Sequence, residues 1–144
     1  MPYKPIIKPA DQPAYEATDS QRILTVLINK ETCDARDVFA GMSLLSPGQR
    51  SPSDVHEDMQ EVFYVIAGRG TALIDHAPHP IEAGDVMYVQ NGVRHQFIAA
   101  DDSSLQLFWV FNAQPDAEFK EKFSRWKPVP WPLGNAPGTA ERSA

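Results

Sequence analysis

The segment from Gly48 to His95 constrains the fold of this chain more than any other part. It consists of short runs rich in aromatic and β-branched residues, separated by clusters of Gly, Pro, Asn and Asp. Such runs favour β-strands, and turns about 8 to 12 residues apart are typical of a small antiparallel barrel or sandwich. We therefore expect an all-β domain in which the starts of non-adjacent strands lie side by side at one mouth.

The turn residues within this segment predict where its strands begin and end. Glu61 to Ala67 is predicted to be a strand that stops at Gly68, and Arg69 to Asp75 is its antiparallel return. His76 to His79 then forms a turn. Asp85 to Val89 is a further strand, which the sequence Gln-Asn-Gly ends.

The flanking sequence predicts further strands and one helix. Residues 29–34 form a turn-rich polar loop, in which Cys33 has no neighbouring His that would make it a nucleophile. Phe119 and Phe123 lie at helical spacing within Asp116 to Trp126, so this run predicts a short helix with one apolar face. The remaining predicted strands are Arg22 to Ile28, Asp37 to Leu45, Gln96 to Ala100 and Leu105 to Phe111.

Four side chains in the central segment are candidate metal ligands. Asp54 and His56 are two residues apart, so both leave the same face of an extended strand. Glu61 opens the next apolar run, and His95 opens another. If these strand starts meet at one mouth of a barrel, the four groups can surround one ion.

The spacing of these residues resembles the paired sequence motifs of the cupin superfamily. The first motif is a Gly, five residues, His-x-His, three or four residues, Glu, six residues and Gly. The second is a Gly, five residues, Pro-x-Gly, two residues, His, three residues and Asn. Seven positions match, namely Gly48, His56, Glu61, Gly68, Gly84, Gly92 and His95.

Three positions depart from these motifs, with Asp54 for the first His, Gln90 for the Pro and Ala99 for the Asn. Gln90 and Ala99 are structural positions, whereas Asp54 stands at a ligand position. The resemblance covers the middle third of the chain and implies a small single-domain, cupin-2-like protein. Its fold would be a cupin-type antiparallel β-barrel, or jelly roll, here with a short C-terminal helix.

The resemblance implies that His56, Glu61 and His95 bind one divalent transition metal. Three roles stay open for Asp54: a fourth ligand, an acceptor or general base beside the metal, or a solvated loop residue. Two imidazoles with one or two carboxylates accept Fe(II), Mn(II), Ni(II) or Zn(II). A face of two His and one carboxylate is typical of non-haem iron and oxygen chemistry, which favours Fe(II).

Five residues are candidates for contact with a substrate. Two of them follow a predicted ligand by two residues on the same strand face, two are aromatic residues of neighbouring strands, and one is an arginine near the mouth that could anchor a carboxylate. An aromatic mouth would suit a small aromatic or unsaturated ligand. His76 and His79 are instead expected to be exposed. The five candidates are Arg50, Phe63, Tyr88, Phe97 and Trp109.

Three functions are compatible with such a site. The first choice is an iron-dependent dioxygenase, in which dioxygen and a small organic substrate share the open metal positions. The second is a non-redox lyase, isomerase, dehydratase or cyclase, in which Asp54 moves a proton while the metal stabilises an enolate. The third is a small-ligand binding or sensing module without turnover.

Composition argues against several other classes of protein. With 144 residues and 42% hydrophobic content, the chain is expected to fold as one domain, residues 20–126. The net charge of -6 argues against a nucleic-acid partner, because phosphates require a basic surface. No apolar run approaches the roughly 20 residues that cross a bilayer, and Cys33 has no second cysteine for a disulfide. We therefore expect a cytoplasmic protein without a membrane partner.

The two ends of the chain flank the predicted domain. Residues 1–19 are interrupted by prolines and are expected to form an extended arm, either loose or paired with the sheet of a partner subunit. Residues 127–144 form a Pro-rich tail. Because cupins commonly dimerise through such arms, the resemblance implies a homodimer.

Overall fold

The alternation of apolar strands and turns gives a jelly roll of antiparallel strands. In the computed structural model, which describes residues 3–18, 20 and 22–135, a 3-10 helix at Pro9–Asp11 precedes nine strands and two short α-helices. The strands are β1 (Ala14–Glu16), β2 (Ile23–Ile28), β3 (Phe39–Leu45), β4 (Glu61–Ile74), β5 (Ala77–Glu82), β6 (Val86–Val89), β7 (His95–Ala99), β8 (Leu105–Phe111) and β9 (Lys127–Val129), and the helices are α1 (Lys30–Cys33) and α2 (Ala117–Ser124).

The longest strand, β4, belongs to both sheets. Its first half pairs with β8 and β6 in a first sheet, which continues through β3, β2, β1 and β9. Its second half pairs with β5 and β7 in a second sheet. Between the halves, the pairing with β8 shifts register from Val65 to Ala67, and Gly68 has a positive φ of 84°. Such an irregularity bends a strand, so that one strand can serve two sheets.

The predicted end of a strand at Gly68 is therefore wrong, as is the separate return strand from Arg69 to Asp75. Gly68 bends the strand instead of ending it. The antiparallel partner strand is β5, and the turn that leads to it has two residues instead of the predicted four. Asp75 and His76 make the turn with φ of 50° and 69°, as two-residue hairpin turns require, and β5 starts at once.

The apolar core lies between the two sheets. Alternate side chains of β3, β4 and β8 point inward, so that Glu61 and Phe63 share the inward face with Val65. Burial of each large apolar side chain stabilises the fold by about 1.5–3 kcal/mol. The start of β4 is thus fixed in the core by its own alternation. The largest fully buried apolar side chains are Phe39, Leu45, Val65, Leu105 and Leu107.

Both ends of the described chain join the first sheet. β1 lies between β2 and β9, so part of the predicted arm and part of the predicted tail are strands of the protein's own sheet. Trp131 packs with Ala14, Leu27 and Met42 in a second apolar cluster. Both edges of β1 are therefore paired within the chain. The homodimer stays a prediction, and residues 136–144 of the predicted tail lie outside the described residues.

The loop predicted at residues 29–34 contains the single-turn helix α1. The Asn29 side chain accepts a hydrogen bond from the Thr32 N–H at 2.7 Å, and the Thr32 hydroxyl accepts one from the Asn29 N–H at 3.1 Å. This reciprocal capping box satisfies the first donors of the turn. Cys33, expected in a polar loop, is buried beneath it.

The predicted C-terminal helix is present as α2. Asp116 caps it by accepting a hydrogen bond from the Phe119 N–H at 2.8 Å. Its aromatic side chains dock it on the barrel, with the Phe119 ring 6.0 Å from the Phe39 ring and 6.3 Å from the Phe111 ring. Neither described helix is long and apolar enough to cross a membrane.

Substitution of Gly68 tests the role of the bend in β4. A Cβ atom there would lie 1.7 Å from the Ser104 carbonyl oxygen, at a backbone conformation that other residues rarely adopt. We expect Gly68→Ala to lower the free energy of unfolding by about 2–4 kcal/mol, measured by urea denaturation. Gly84→Ala is the matched control, because Gly84 also has a positive φ but open space around it, and it should cost about 1 kcal/mol. Equal losses in the two variants would contradict the crowding argument.

Candidate metal centre

The inward faces of the first sheet and the start of β7 enclose a cavity of about 70 Å³. Its polar lining consists of the predicted ligands with Asp54 and Ser51, and of Arg22 and Ser43 elsewhere in the wall. A mostly apolar cavity with a small number of convergent polar groups is typical of a small-molecule site. The apolar wall consists of Leu24, Leu45, Phe63, Phe97, Leu107, Trp109, Phe111 and Phe119.

Backbone hydrogen bonds hold the loop of His56 against the start of β7. The Asp54 N–H donates to the His95 carbonyl and the His95 N–H donates to the Asp54 carbonyl, each at 2.9 Å. The Gly92 N–H donates to the His56 carbonyl at 2.8 Å. Glu61 arrives separately, as the first residue of β4, which lies between β8 and β6. The starts of β4 and β7 therefore meet at one mouth, although the two strands also pair with each other in the second sheet and are not the non-adjacent strands that were expected.

Three of the four candidate ligands converge in the cavity. His56, Glu61 and His95 each offer one nitrogen or oxygen atom, and these atoms lie within 4.8 Å of one another. The three residues could therefore hold one divalent metal ion. Asp54 lines the same cavity but does not belong to this group.

The hydrogen bonding of the site fits a bound cation. Glu61 Oε1 lies 3.0 Å from His95 Nε2, close enough for the two atoms to share a proton or a cation. Glu61 Oε1 is one of the buried side-chain atoms without a hydrogen-bond partner among the described residues. An unpaired buried carboxylate oxygen is costly, so a metal ion or a proton at this position would stabilise it.

The second nitrogen of His95 orients its ring for this role. His95 Nδ1 lies 3.1 Å from the Val93 carbonyl, which can only accept, so Nδ1 carries the hydrogen. In the neutral ring, Nε2 then presents its lone pair towards Glu61. Metal-bound histidines commonly use a backbone carbonyl in this way to fix the tautomer.

Burial shifts the pKa values of Glu61, His56 and His95 in different ways. It raises the pKa of Glu61 to about 7, because loss of water disfavours the carboxylate more than His95 stabilises it. It lowers the pKa of His56, with repulsion from His95 adding to the effect. For His95, burial alone would lower the pKa. Contact with Glu61 and with the Val93 carbonyl raises the pKa by more than burial lowers it, so the net shift is upward. A His56 ring that stays neutral suits metal binding, which requires a deprotonated ligand.

The structure places the five predicted substrate residues in two groups. Phe63, Phe97 and Trp109 line the cavity, with the first two rings 4.5 Å apart. Tyr88 lies on the outer face of β6, half exposed, and its hydroxyl donates to Gln60 at 2.9 Å. Arg50 is exposed beside a separate surface groove. Tyr88 and Arg50 therefore do not line this cavity, and their contact with a substrate stays a prediction.

Sequence reasoning missed several residues of the cavity wall. Phe111 lies 5.1 Å from the His56 ring and Phe119 of α2 lies 6.3 Å from it, so both shield this ligand. Ser43 and Leu24 reach the cavity from β3 and β2. Their strands were predicted, but alternation alone does not say which of two faces is inward in strands that are apolar on both.

Comparison with known proteins identifies the domain. The sequence model of the family described as "Cupin domain" matches residues 41–111, from within β3 to the end of β8. This chain contains a cupin domain. The matched region includes His56, Glu61 and His95, so the resemblance predicted from the two motifs is confirmed.

Two curated proteins are similar to part of this cupin. Protein SchB of Streptomyces halstedii is 32% identical over 89 residues, which cover 62% of this chain and 63% of that protein. Polyketide synthase CurC of Streptomyces cyaneus is 27% identical over 92 residues, covering 64% of this chain and 58% of that protein. The chain thus spans about three-fifths of the length of both relatives.

Solved structures confirm the fold. A predicted oxalate decarboxylase from Thermotoga maritima matches with a TM-score of 0.65 at 20% identity, covering 76% of this chain and all (100%) of that one. An RmlC-like cupin from Shewanella frigidimarina also gives 0.65, at 18% identity, covering 83% of this chain and 99% of that one. At these identities the likeness concerns the fold alone.

Removal of a ligand residue should abolish metal binding. We expect His95→Ala to lower the affinity for Zn(II) by more than the roughly 10- to 100-fold that follows loss of a residue that only supports a ligand. Elemental analysis after reconstitution and desalting measures the bound metal. His79→Ala is the control, because His79 is exposed on β5 and should leave the metal content unchanged. Full metal content in His95→Ala would contradict the ligand assignment.

The raised pKa of Glu61 predicts a pH dependence of the metal-free protein. Between about pH 4.5 and about pH 7, the unfolded chain has released the Glu61 proton while the folded chain still holds it. The free energy of unfolding should therefore fall as the pH rises through this window, by on the order of 2–3 kcal/mol. His95 acts in the same direction, because its raised pKa gives stability that is lost as the pH rises.

Urea denaturation with a chelator present, across this pH range, measures the effect. Glu61→Gln cannot titrate, so its profile should be flatter than that of the wild type. Glu82→Gln removes an exposed carboxylate instead and should follow the wild type. Parallel profiles for wild type and Glu61→Gln would show that the Glu61 pKa is not raised in the folded protein.

Proposed function

We propose that this chain is a metal-dependent enzyme that acts on an enolisable, polyketide-type substrate by proton transfer, as a cyclase or dehydratase. The relative named as a polyketide synthase supports the substrate class. The mostly apolar cavity with aromatic walls supports an unsaturated or aromatic product. His56, Glu61 and His95 would hold the metal, which supplies Lewis-acid stabilisation of an enolate oxygen when bound.

The position of Asp54 carries this proposal. Its backbone is paired with His95 by two hydrogen bonds, and its side chain lines the cavity next to the three ligands without joining their group. Asp54 is half-buried, so it has access to solvent as well as to the cavity. A carboxylate in this place can take a proton from a substrate carbon and return one to a leaving oxygen.

The reaction proposed is balanced without an oxidant. In heptane-2,4,6-trione, Asp54 would remove a proton from carbon 1, and carbon 1 would then form a bond to the carbonyl carbon 6. The carbon 6 oxygen leaves as water after protonation, and enolisation gives 3,5-dihydroxytoluene. One molecule of triketone thus yields one molecule of the phenol and one of water, so neither dioxygen nor a redox cofactor takes part.

A dioxygenase is the second candidate function. The sequence by itself favoured it, and the convergence of two histidines with one carboxylate supports it, because this ligand set is typical of non-haem iron oxygenases. Iron would be the metal in that case, whereas Zn(II), Mn(II) or Ni(II) would serve proton transfer equally well. Oxygen consumption separates the two functions.

The experiment that tests the proposal is turnover of heptane-2,4,6-trione under argon, with the protein reconstituted with Zn(II) and the phenol measured by chromatography. Formation of 3,5-dihydroxytoluene above the rate with metal and no protein is the expected result. Turnover only in air, with oxygen uptake and bound iron, would favour the dioxygenase instead. Tight binding of the triketone without any product would favour a sensing module.

Substitution of Asp54 tests the assigned proton transfer. We expect Asp54→Asn to keep the metal and to lower the turnover rate by about 10²- to 10⁴-fold, the usual contribution of a general acid or base. Glu57→Gln is the matched control, because Glu57 is an exposed carboxylate of the same loop. Loss of the metal in Asp54→Asn would instead make Asp54 a ligand, and unchanged turnover would leave it without a role.

A further inference from the structure

A buried polar pair lies in the cavity wall apart from the metal ligands. The Trp109 Nε1–H donates to Ser43 Oγ at 2.9 Å, and both residues line the cavity. Their exposed fractions are only 4% and 6%, so the contact is shielded from bulk solvent. The pair is a polar contact in a wall that also carries Arg22 and Ser51.

The neighbouring glycine explains why the indole reaches Ser43. Trp109 on β8 pairs directly with Gly41 on β3. A Cβ atom on Gly41 would lie 2.6 Å from Trp109 Cζ2, so only glycine leaves room for the ring. The indole therefore lies against β3, and its N–H meets the next inward side chain of that strand, Ser43.

The hydrogen of the Ser43 hydroxyl remains available to donate. An indole N–H can only donate, so Ser43 Oγ is the acceptor in the pair. In the part of the chain that the structure describes, no group accepts a hydrogen bond from Ser43 Oγ. The other serine of the wall differs, because Ser51 Oγ accepts from the Phe97 N–H at 2.9 Å and donates to the Pro52 carbonyl at 3.2 Å. Among the described residues Ser43 is thus a buried donor without an acceptor, which a ligand in the cavity can supply.

The strand register places Ser43 far from the metal ligands. Ser43 pairs with Leu107, and Leu107 pairs with Val65, which is four residues beyond Glu61 on β4. Four residues of strand correspond to roughly 13 Å. The inward rings of Phe63 and Trp109 lie between these levels. The cavity therefore has the candidate metal ligands at one level, the rings of Phe63 and Trp109 in the middle and the Ser43 hydroxyl at a separate level, with Leu45 beyond it.

We propose that Ser43 is a specificity-determining residue, whose hydroxyl donates a hydrogen bond to a second oxygen of the substrate, distal to the oxygen at the metal. The proposal rests on the proposed function, because a polyketide-type substrate carries oxygens along its length. Trp109 is a positioning residue in this arrangement, since its N–H orients the Ser43 lone pairs and so directs the hydroxyl hydrogen into the cavity.

A matched pair of ligands tests this role through binding alone. The two ligands are 1-phenylbutane-1,3-dione and its 4-hydroxyphenyl analogue, which differ by one oxygen at the end distal to the diketone. Their affinities for the Zn(II)-reconstituted protein are measured by calorimetry. We expect the wild type to prefer the hydroxylated ligand roughly threefold to tenfold, the usual worth of one hydrogen bond. In Ser43→Ala, the ratio of the two affinities should fall to about one.

Trp109→Phe separates recognition by Ser43 from support of the indole. This variant loses the indole N–H that orients Ser43 but keeps the Ser43 hydroxyl itself, so a weaker preference for the hydroxylated ligand should survive in it. If Ser43→Ala and Trp109→Phe change the ratio alike, Ser43 only holds the indole and the proposal is overturned. Thermal melting and metal content of both variants show that they are folded and loaded.

The failure of this inference differs from the failure of the proposed function. If both diketones bind and Ser43→Ala keeps the wild-type preference, Ser43 does not recognise the distal oxygen, and the proposed function is unaffected. If neither diketone binds to the metal-loaded wild type, the polyketide-type substrate class is wrong, and the role of Ser43 is overturned with it.

Discussion

The centre of this protein depends on the close approach of Glu61 and His95 inside an apolar barrel. A carboxylate oxygen and an imidazole nitrogen lie 3.0 Å apart there, with the oxygen lacking a hydrogen bond. In water this close approach would change the free energy little, but inside the protein an unpaired buried charge raises the free energy of the folded state. The site is therefore stable only when a proton or a cation is shared between the groups. The raised pKa of Glu61 and the ability to hold a metal are two consequences of the same desolvation.

The fold supplies this juxtaposition through one strand and one loop. β4 brings Glu61 into the core because its inward alternation is continuous, and the bend at Gly68 lets the same strand reach the second sheet, where β7 begins with His95. The loop of Asp54 and His56 is held to His95 by paired backbone hydrogen bonds rather than by side chains. Backbone hydrogen bonds therefore hold this loop in place, and the side chains of Asp54 and His56 are not needed to hold it.

The two ends of the cavity differ in chemistry. At the mouth, the metal ligands lie beside the half-buried Asp54, so charge and protons can enter. Towards the interior, aromatic side chains line the cavity, and the Ser43 hydroxyl there accepts a hydrogen bond from Trp109 Nε1. This polarity supports a substrate that is activated at one end and recognised at the other. It accommodates proton transfer without oxygen as readily as it accommodates oxygen chemistry.

The sequence alone determined the jelly roll, the C-terminal helix and the three converging ligands, because glycines, turns and ligand types at fixed spacing are local properties of the chain. It failed at Gly68, where a positive φ is as compatible with a bend as with an end, and it did not separate Phe63, Phe97 and Trp109, which line the cavity, from Tyr88 and Arg50, which do not. Only the tertiary structure decided that Asp54 stands beside the ligand group and that Ser43 faces the cavity. Those facts depend on how separate strands align across a sheet, and alternation within one strand does not encode that register.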